Sequence, residues 1–388
     1  MKRLPIAISL SLIVGLLILF WPRPAITNSG QASVKWLTAD QTETTGGEFA
    51  RVYEPTSLEF PRDFGPHEDY QTEWWYYTGN LEAENGREFG YQLTFFRRGL
   101  TPGRDYNSDV SDWRTNQVYF SHFTISDVEN KQFYPHERFS RGAEGLTGAQ
   151  SAPYRVWIED WSAEQVAPDK VRLTADAGDV ALDLTLTQTL PPVLQGDRGF
   201  SPKGPEPGNA SYYYSIVQQQ TEGTVTIGDE AIPVVGKSWK DHEYSTSALS
   251  EGTVGWDWFS LQLNNGSALM LFALRKETET GLNIADGKFI AADGSETRIA
   301  AGDCQVKVLD TWRSPASGAA YPTQWHIEIP KIGLTLDGQP LMPNQELNVS
   351  NTYWEGATAF EGQLDQAPIA AKGYIEMTGY TASMNGIL

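Results

Sequence analysis

The segment Glu88-Phe89-Gly90-Tyr91-Gln92-Leu93-Thr94-Phe95 places an apolar side chain at every second position, the mark of a strand with one buried face. Comparable short runs recur at 87–97, 117–126, 154–161, 171–175, 180–187, 268–275, 305–308, 324–329 and 373–380, and 210–220 with 223–235 reads as a further hairpin. Turn residues separate these runs, and no helix longer than a couple of turns is expected after the N-terminus. Many short strands in series predict a barrel or a sandwich. Between 195 and 208 glycine and proline crowd together without any period. That stretch reads either as an interdomain connection or as a loop over a pocket mouth.

One pattern occurs twice. Glu73-Trp74-Trp75-Tyr76-Tyr77-Thr78-Gly79-Asn80-Leu81 is echoed by Gly255-Trp256-Asp257-Trp258-Phe259-Ser260-Leu261-Gln262-Leu263. Each copy follows a His-Glu pair, His67-Glu68 or His242-Glu243. Each precedes an Asn-Gly turn, Asn85-Gly86 or Asn265-Gly266, and then a run ending in Arg97 or Arg275. Asn-Gly between alternating apolar runs is a strong hairpin signal, so the chain reads as a duplicated strand-turn-strand module. The aromatic rings either fill cores or line an apolar cavity, where Trp N–H and Tyr O–H groups orient a ligand. The first copy reads as the opening strand of a first unit, with Trp74 and Trp75 shaping core and junction. The second, close to Asp241 and His242, has the better claim to chemistry.

At 388 residues the chain is long enough for two substantial cores, in agreement with the duplication. With 13 Trp, 17 Tyr and 16 Phe it is rich in the residues that favour strands. A formal charge of -20 repels nucleic acid and anionic lipid, which excludes a DNA- or RNA-binding role. Met1-Lys2-Arg3 precedes an uncharged apolar run at 4–21, a signal peptide or membrane anchor that leaves the rest of the chain outside the cytoplasm. The expected location is therefore periplasmic or at the cell envelope. The polar stretch 28–49 reads as a flexible linker. Cys304 is the single cysteine, so no intramolecular disulfide can form, and its setting predicts a small buried residue at the start of a strand.

The densest polar and aromatic cluster is Gly236-Lys237-Ser238-Trp239-Lys240-Asp241-His242-Glu243-Tyr244. On a strand, Trp239, Asp241 and Glu243 share one face and Lys240, His242 and Tyr244 the other. Burial beside aromatic rings raises a carboxyl pKa and keeps the acid able to donate a proton near neutral pH. Hydrogen bonds that merely fix a domain junction are the other reading, and the residues alone favour it. The five histidines show no metal-ligand spacing, and no serine-nucleophile elbow, P-loop or dinucleotide fingerprint occurs in a fitting context. Neither a metal nor a cofactor is expected.

Several segments, taken in order, resemble the AttH-like family that includes carotenoid 1,2-hydratase (hydroxyneurosporene synthase): Phe60-Pro61-Arg62-Asp63-Phe64-Gly65-Pro66-His67 with 73–81, Gly199-Phe200-Ser201-Pro202-Lys203-Gly204 with Ala210-Ser211-Tyr212-Tyr213-Tyr214-Ser215, 236–243, 255–263, and Tyr353-Trp354-Glu355-Gly356 with 373–380. The resemblance implies an all-β chain of two lipocalin-like (calycin-type) antiparallel barrels in tandem, placed here at 50–225 and 226–388 after an apolar segment at 1–27 and the linker. It further implies a hydrophobic ligand at the domain junction, hydration of an isoprenoid C=C bond in some members, and for others an accessory role beside an ABC-type transporter permease. Mapped onto this sequence, Asp241 is the candidate acid and His242 or Asp257 the group that orients water. Trp239, Trp256, Trp258, Trp74, Trp75 and Tyr77 are the candidate ligand-binding rings. In the carotenoid hydratases a Tyr-His pair precedes this aspartate, where Trp239-Lys240 stands here. A lysine whose charge met Asp241 would lower its pKa, unless opposite strand faces keep the two apart.

Overall fold

The computed structural model describes residues 48–102, 116–142, 144–247, 249–277 and 282–384. The expected apolar segment and all of the linker but Glu48 and Phe49 lie outside them. Ordered packing starts slightly before residue 53: Val52 is fully buried, whereas Tyr53 is exposed. Everything described is β structure apart from loops and two single 3-10 turns, Arg62–Phe64 and Pro330–Ile332.

The first sheet is built from β1 (Thr72–Ala83), β2 (Glu88–Gly99), β3 (Gln117–Asp127), β4 (Gln132–Arg141), β5 (Thr147–Ser151), β6 (Tyr154–Ile158), β7 (Trp161–Ala167), β8 (Lys170–Asp176), β9 (Val180–Gln188), β10 (Val193–Leu194), β11 (Phe200–Pro202), β12 (Ala210–Ile227) and β13 (Glu230–Ser245). Its order is β4-β3-β2-β1-β13-β12-β9-β8-β7-β6-β5, with β10 and β11 alongside β12. It curls into a barrel in which Arg138 of the edge strand β4 bonds the Asp176 carbonyl at the end of β8 and lies over the ring of Trp161 on β7. The barrel is filled by Trp75, Tyr77, Tyr91, Phe95, Phe123, Tyr154 and Trp161, so its interior is a packed core. The Asn85-Gly86 turn forms as expected, with Gly86 at φ 85° and its N–H donating to Ala83 O.

The second sheet contains β14 (Thr253–Leu263), β15 (Ala268–Lys276), β16 (Ile284–Ile290), β17 (Glu296–Ala300), β18 (Gln305–Arg313), β19 (Ala320–Ile329), β20 (Leu334–Pro340), β21 (Glu346–Asn348), β22 (Thr352–Leu364) and β23 (Ala367–Met377). Its order is β17-β16-β15-β14-β23-β22-β20-β19-β18, with β21 on β22, and an isolated bridge from Leu282 to Val306 closes the barrel. Phe259, Leu271, Trp325, Trp354, Phe360 and Ile375 fill it, and Cys304 is buried at its margin. The chain thus forms two antiparallel barrels, as expected.

The boundary differs from the expected 225/226. That position lies inside the β12–β13 hairpin, which turns at Gly228-Asp229 and runs on to Ser245, because β13 pairs along its length with β1. The sheets change between Ser245 and Thr253. The Gly- and Pro-rich stretch is likewise no interdomain connection, since β10 and β11 fold back on β12 within the first sheet.

Candidate active site

The two copies of the repeat face one another across the junction. Trp74 and Tyr76 of β1 correspond to Trp256 and Trp258 of β14, and alternation sends all four away from their own barrels into a shared cavity of about 110 Å³. Tyr76 and Trp258 meet edge to face at 5.2 Å. Phe96, Tyr213, Phe272 and Leu274 complete the apolar wall, and Asp241, Glu243, Glu376 and Lys203 supply the charged groups. Ser247 and Leu249, on the crossing between the sheets, also line it.

Asp241 sits on β13 opposite Tyr76 of β1 and Ser215 of β12. Its Oδ1 accepts hydrogen bonds from Ser215 Oγ (2.5 Å) and Trp239 Nε1 (2.7 Å), and its Oδ2 from Tyr213 O–H (2.6 Å). Trp258 Nε1 donates in turn to the Tyr213 oxygen at 3.0 Å. Burial pushes the Asp241 pKa up to about 7 against those three donors, and the nearby Glu243 charge adds to the rise. Glu376 of β23 is also pushed up to about 7, first by burial and then by the charges of Asp241, Glu243 and Asp257. Its Oε2 accepts from Trp256 Nε1 at 2.7 Å. Glu243 is committed elsewhere, to Lys203 at 2.5 Å and to the Ser211 hydroxyl. Two carboxyl groups poised near neutrality therefore share one aromatic cavity.

Residues 240, 242 and 244 point the other way, the first two into the first barrel and Tyr244 into a separate cluster with Val52, Ala210 and Tyr212, where it stacks on His67. His242 bonds Glu73 Oε1 through Nε2 and Tyr214 O–H through Nδ1, each at 2.8 Å, and burial lowers its pKa to about 4. Glu73, fully buried, also bonds His67 Nδ1 (2.8 Å) and Arg97 Nε (2.8 Å). Burial opposes its ionisation, but the Arg97 charge and the two imidazoles hold it well below the usual carboxylate range. His67, Glu73 and His242 place ligand-type atoms within 4.8 Å of one another. Their mutual hydrogen bonds and the guanidinium on Glu73 make this an ion-pair network that disfavours a further cation. Lys240 is enclosed by the rings of Phe64, Tyr77, Tyr154 and Tyr214, and burial lowers its pKa to about 7. Its ammonium and Asp241 lie on opposite faces of β13, so the feared charge contact does not occur.

Of the expected site residues, the structure brings Asp241, Trp74, Trp256 and Trp258 to the cavity and sets Trp239 directly behind Asp241. It corrects the placement of four others. His242 lies on the far face of β13. Trp75 and Tyr77 fill the first barrel, bonded to Phe64 O and Tyr154 O–H. Asp257, the counterpart of Trp75, points into the second barrel, where Tyr380 O–H bonds it and burial raises its pKa to about 7 against the Arg275 charge. Glu376, Tyr213, Tyr76 and Lys203 went unnamed as site residues, although the segments that carry them, 373–380, 210–215, 73–81 and 199–204, were all visible.

The AttH-like family matches residues 51–380. The chain belongs to the AttH-like family. A Nitrosomonas europaea protein designated AttH shares 34% identity, covering 86% of this chain and 99% of its own, with a TM-score of 0.76. Kievitone hydratase from Nectria haematococca shares 15% identity over 87% of this chain and 96% of its own, with a TM-score of 0.65. At that identity the second likeness speaks for the fold. No curated protein matches the sequence.

Proposed function

We propose that this AttH-like protein hydrates a C=C bond at the end of a hydrophobic molecule, with Asp241 as proton donor. The observation that carries the reading is a buried carboxyl group, held near a pKa of 7, in an aromatic-walled cavity that contains a second such group. The alkene π electrons take the proton from Asp241, and the resulting carbocation lies against the Trp256, Trp258 and Trp74 rings. Water attacks the cation and gives its proton to the Glu376 carboxylate, so one water is added and one proton passes from acid to base. Solvent exchange returns both groups to their starting states. A cavity of about 150 Å³ takes a molecule the size of benzene. The space of about 110 Å³ therefore admits a terminal group, such as the end of an isoprenoid chain, with the remainder leaving past Ser247 and Leu249.

The test incubates purified protein with acyclic carotenoids and with kievitone and follows product mass. Gain of one water, abolished by Asp241→Asn, supports the enzyme. One observation favours a non-catalytic carrier instead: both oxygens of Asp241 are already occupied by donors. Co-purifying ligand without turnover, unchanged in Asp241→Asn, supports that carrier, for which the apolar run at 4–21 suggests export and the family resemblance a place beside an ABC-type permease.

A further inference from the structure

Three carboxyl groups and one ammonium line the junction cavity. Lys203 Nζ pairs with Glu243 at 2.5 Å and lies 4.6 Å from the ring centre of Phe272 and 5.4 Å from that of Tyr213. Part of the wall therefore already holds an ammonium group, the chain's own, between aromatic faces and a carboxylate. The rest offers the same chemistry without a cation. Trp74, Trp256 and Trp258 present their rings, and among the described residues neither Asp241 nor Glu376 forms an ion pair with a lysine or arginine. Apart from Lys203, which is paired with Glu243, the charged groups around Glu376 are acidic: Asp241 and Glu243 in the cavity, Asp257 behind β14 and Glu355 facing it across the β22–β23 pair. Tyr76 separates Glu355 from the cavity by donating to it at 2.8 Å.

We propose that this cavity recognises an organic ammonium ion, whose alkylated head seats against Trp74, Trp256 and Trp258 with Glu376 and Asp241 as its counter-charges. A cation over an aromatic face is attracted by the ring quadrupole, more strongly once both are out of water, and rings grouped around a quaternary ammonium are the usual way this interaction serves ligand recognition. A space of about 110 Å³ suits a head group, not a long chain. Ammonium binding rests, as hydration does, on this cavity being the ligand site, but it requires no reaction. Because burial moves Asp241 and Glu376 up to about 7, binding strengthens as pH rises through that range and both become anionic.

Isothermal titration with choline and with its neutral carbon isostere 3,3-dimethylbutan-1-ol tests this without needing the natural ligand. The expected result is a preference for choline of at least tenfold at pH 8, lost at pH 5.5 and in Glu376→Gln. Equal affinities at pH 8, or no choline binding, overturn the proposal; the isostere comparison on the unaltered protein holds even if the variant folds poorly. Water addition without ammonium preference sinks this inference and leaves the hydration reading standing. Ammonium preference without turnover does the reverse.

Discussion

Replacing Asp241 with asparagine should stabilise the protein at neutral and alkaline pH. Ionisation of this carboxyl is disfavoured in the folded chain, where its pKa rises from an ordinary 3.8 to about 7. At roughly 1.4 kcal/mol per pH unit, that difference amounts to about 4 kcal/mol. Because the folded value lies above the unfolded one, this group's contribution is complete below about pH 4, declines between about pH 4 and pH 7, and is flat above. Asparagine escapes the decline. Its cost is a compromised hydrogen bond: Ser215 and Trp239 still donate to the amide oxygen, but the amide nitrogen faces the Tyr213 hydroxyl, at a cost of about 1 kcal/mol. The variant should therefore sit near parity with the parent at pH 5 and gain about 3 kcal/mol at pH 8. Urea unfolding at the two pH values, read as the difference between variant and parent, cancels the other titrating groups. An equal loss at both pH values would refute the reasoning and make Asp241 a structural tie across the junction. Stabilisation coupled to loss of activity is what a functional acid held at a cost to the fold should show.

Two further outcomes follow from the other face of the same strands. Arg97→Met strands the Glu73 carboxylate in the first barrel and should cost about 3–5 kcal/mol in urea unfolding, with the Glu73→Gln/Arg97→Met double variant recovering part of it. A loss no larger in the single than in the double variant would mean that the pair is not coupled. Burial holds the Lys240 pKa near 7 against an ordinary 10.5, a difference of about 5 kcal/mol at roughly 1.4 kcal/mol per pH unit; with about 2–3 kcal/mol lost in its contacts with the four rings, Lys240→Met should stabilise by about 2 kcal/mol at pH 6, and this advantage disappears as pH rises toward 10. Thermal melts at pH 6 and pH 10 check it, and a loss independent of pH speaks against it.

Local pattern was legible where one strand face differed from the other. The alternation in 88–95, both Asn-Gly hairpins and the division of 239–244 into two sets of side chains all appear in the fold. The pattern could not say which set faced the ligand. Along β13 from Ser238 to Ser245, and along most of β1, both faces are buried, one by the first barrel and one by the second, so polarity does not tell the two faces apart. For the same reason β22 escaped notice: its first half is buried on both sides.

By itself the sequence determined the β architecture, the duplication and the strand carrying Asp241, because these rest on period, turn chemistry and repeated local motifs. Only the tertiary structure decided that the Asp241 face of β13, and not the His242 face, meets the cavity, that Asp257 turns away from it, and that Glu376, some 130 residues further along, joins it. Pairing of β13 with β1 and of β14 with β23 sets that convergence. Strand order is fixed by long-range packing, which leaves no trace in the spacing of residues along the chain.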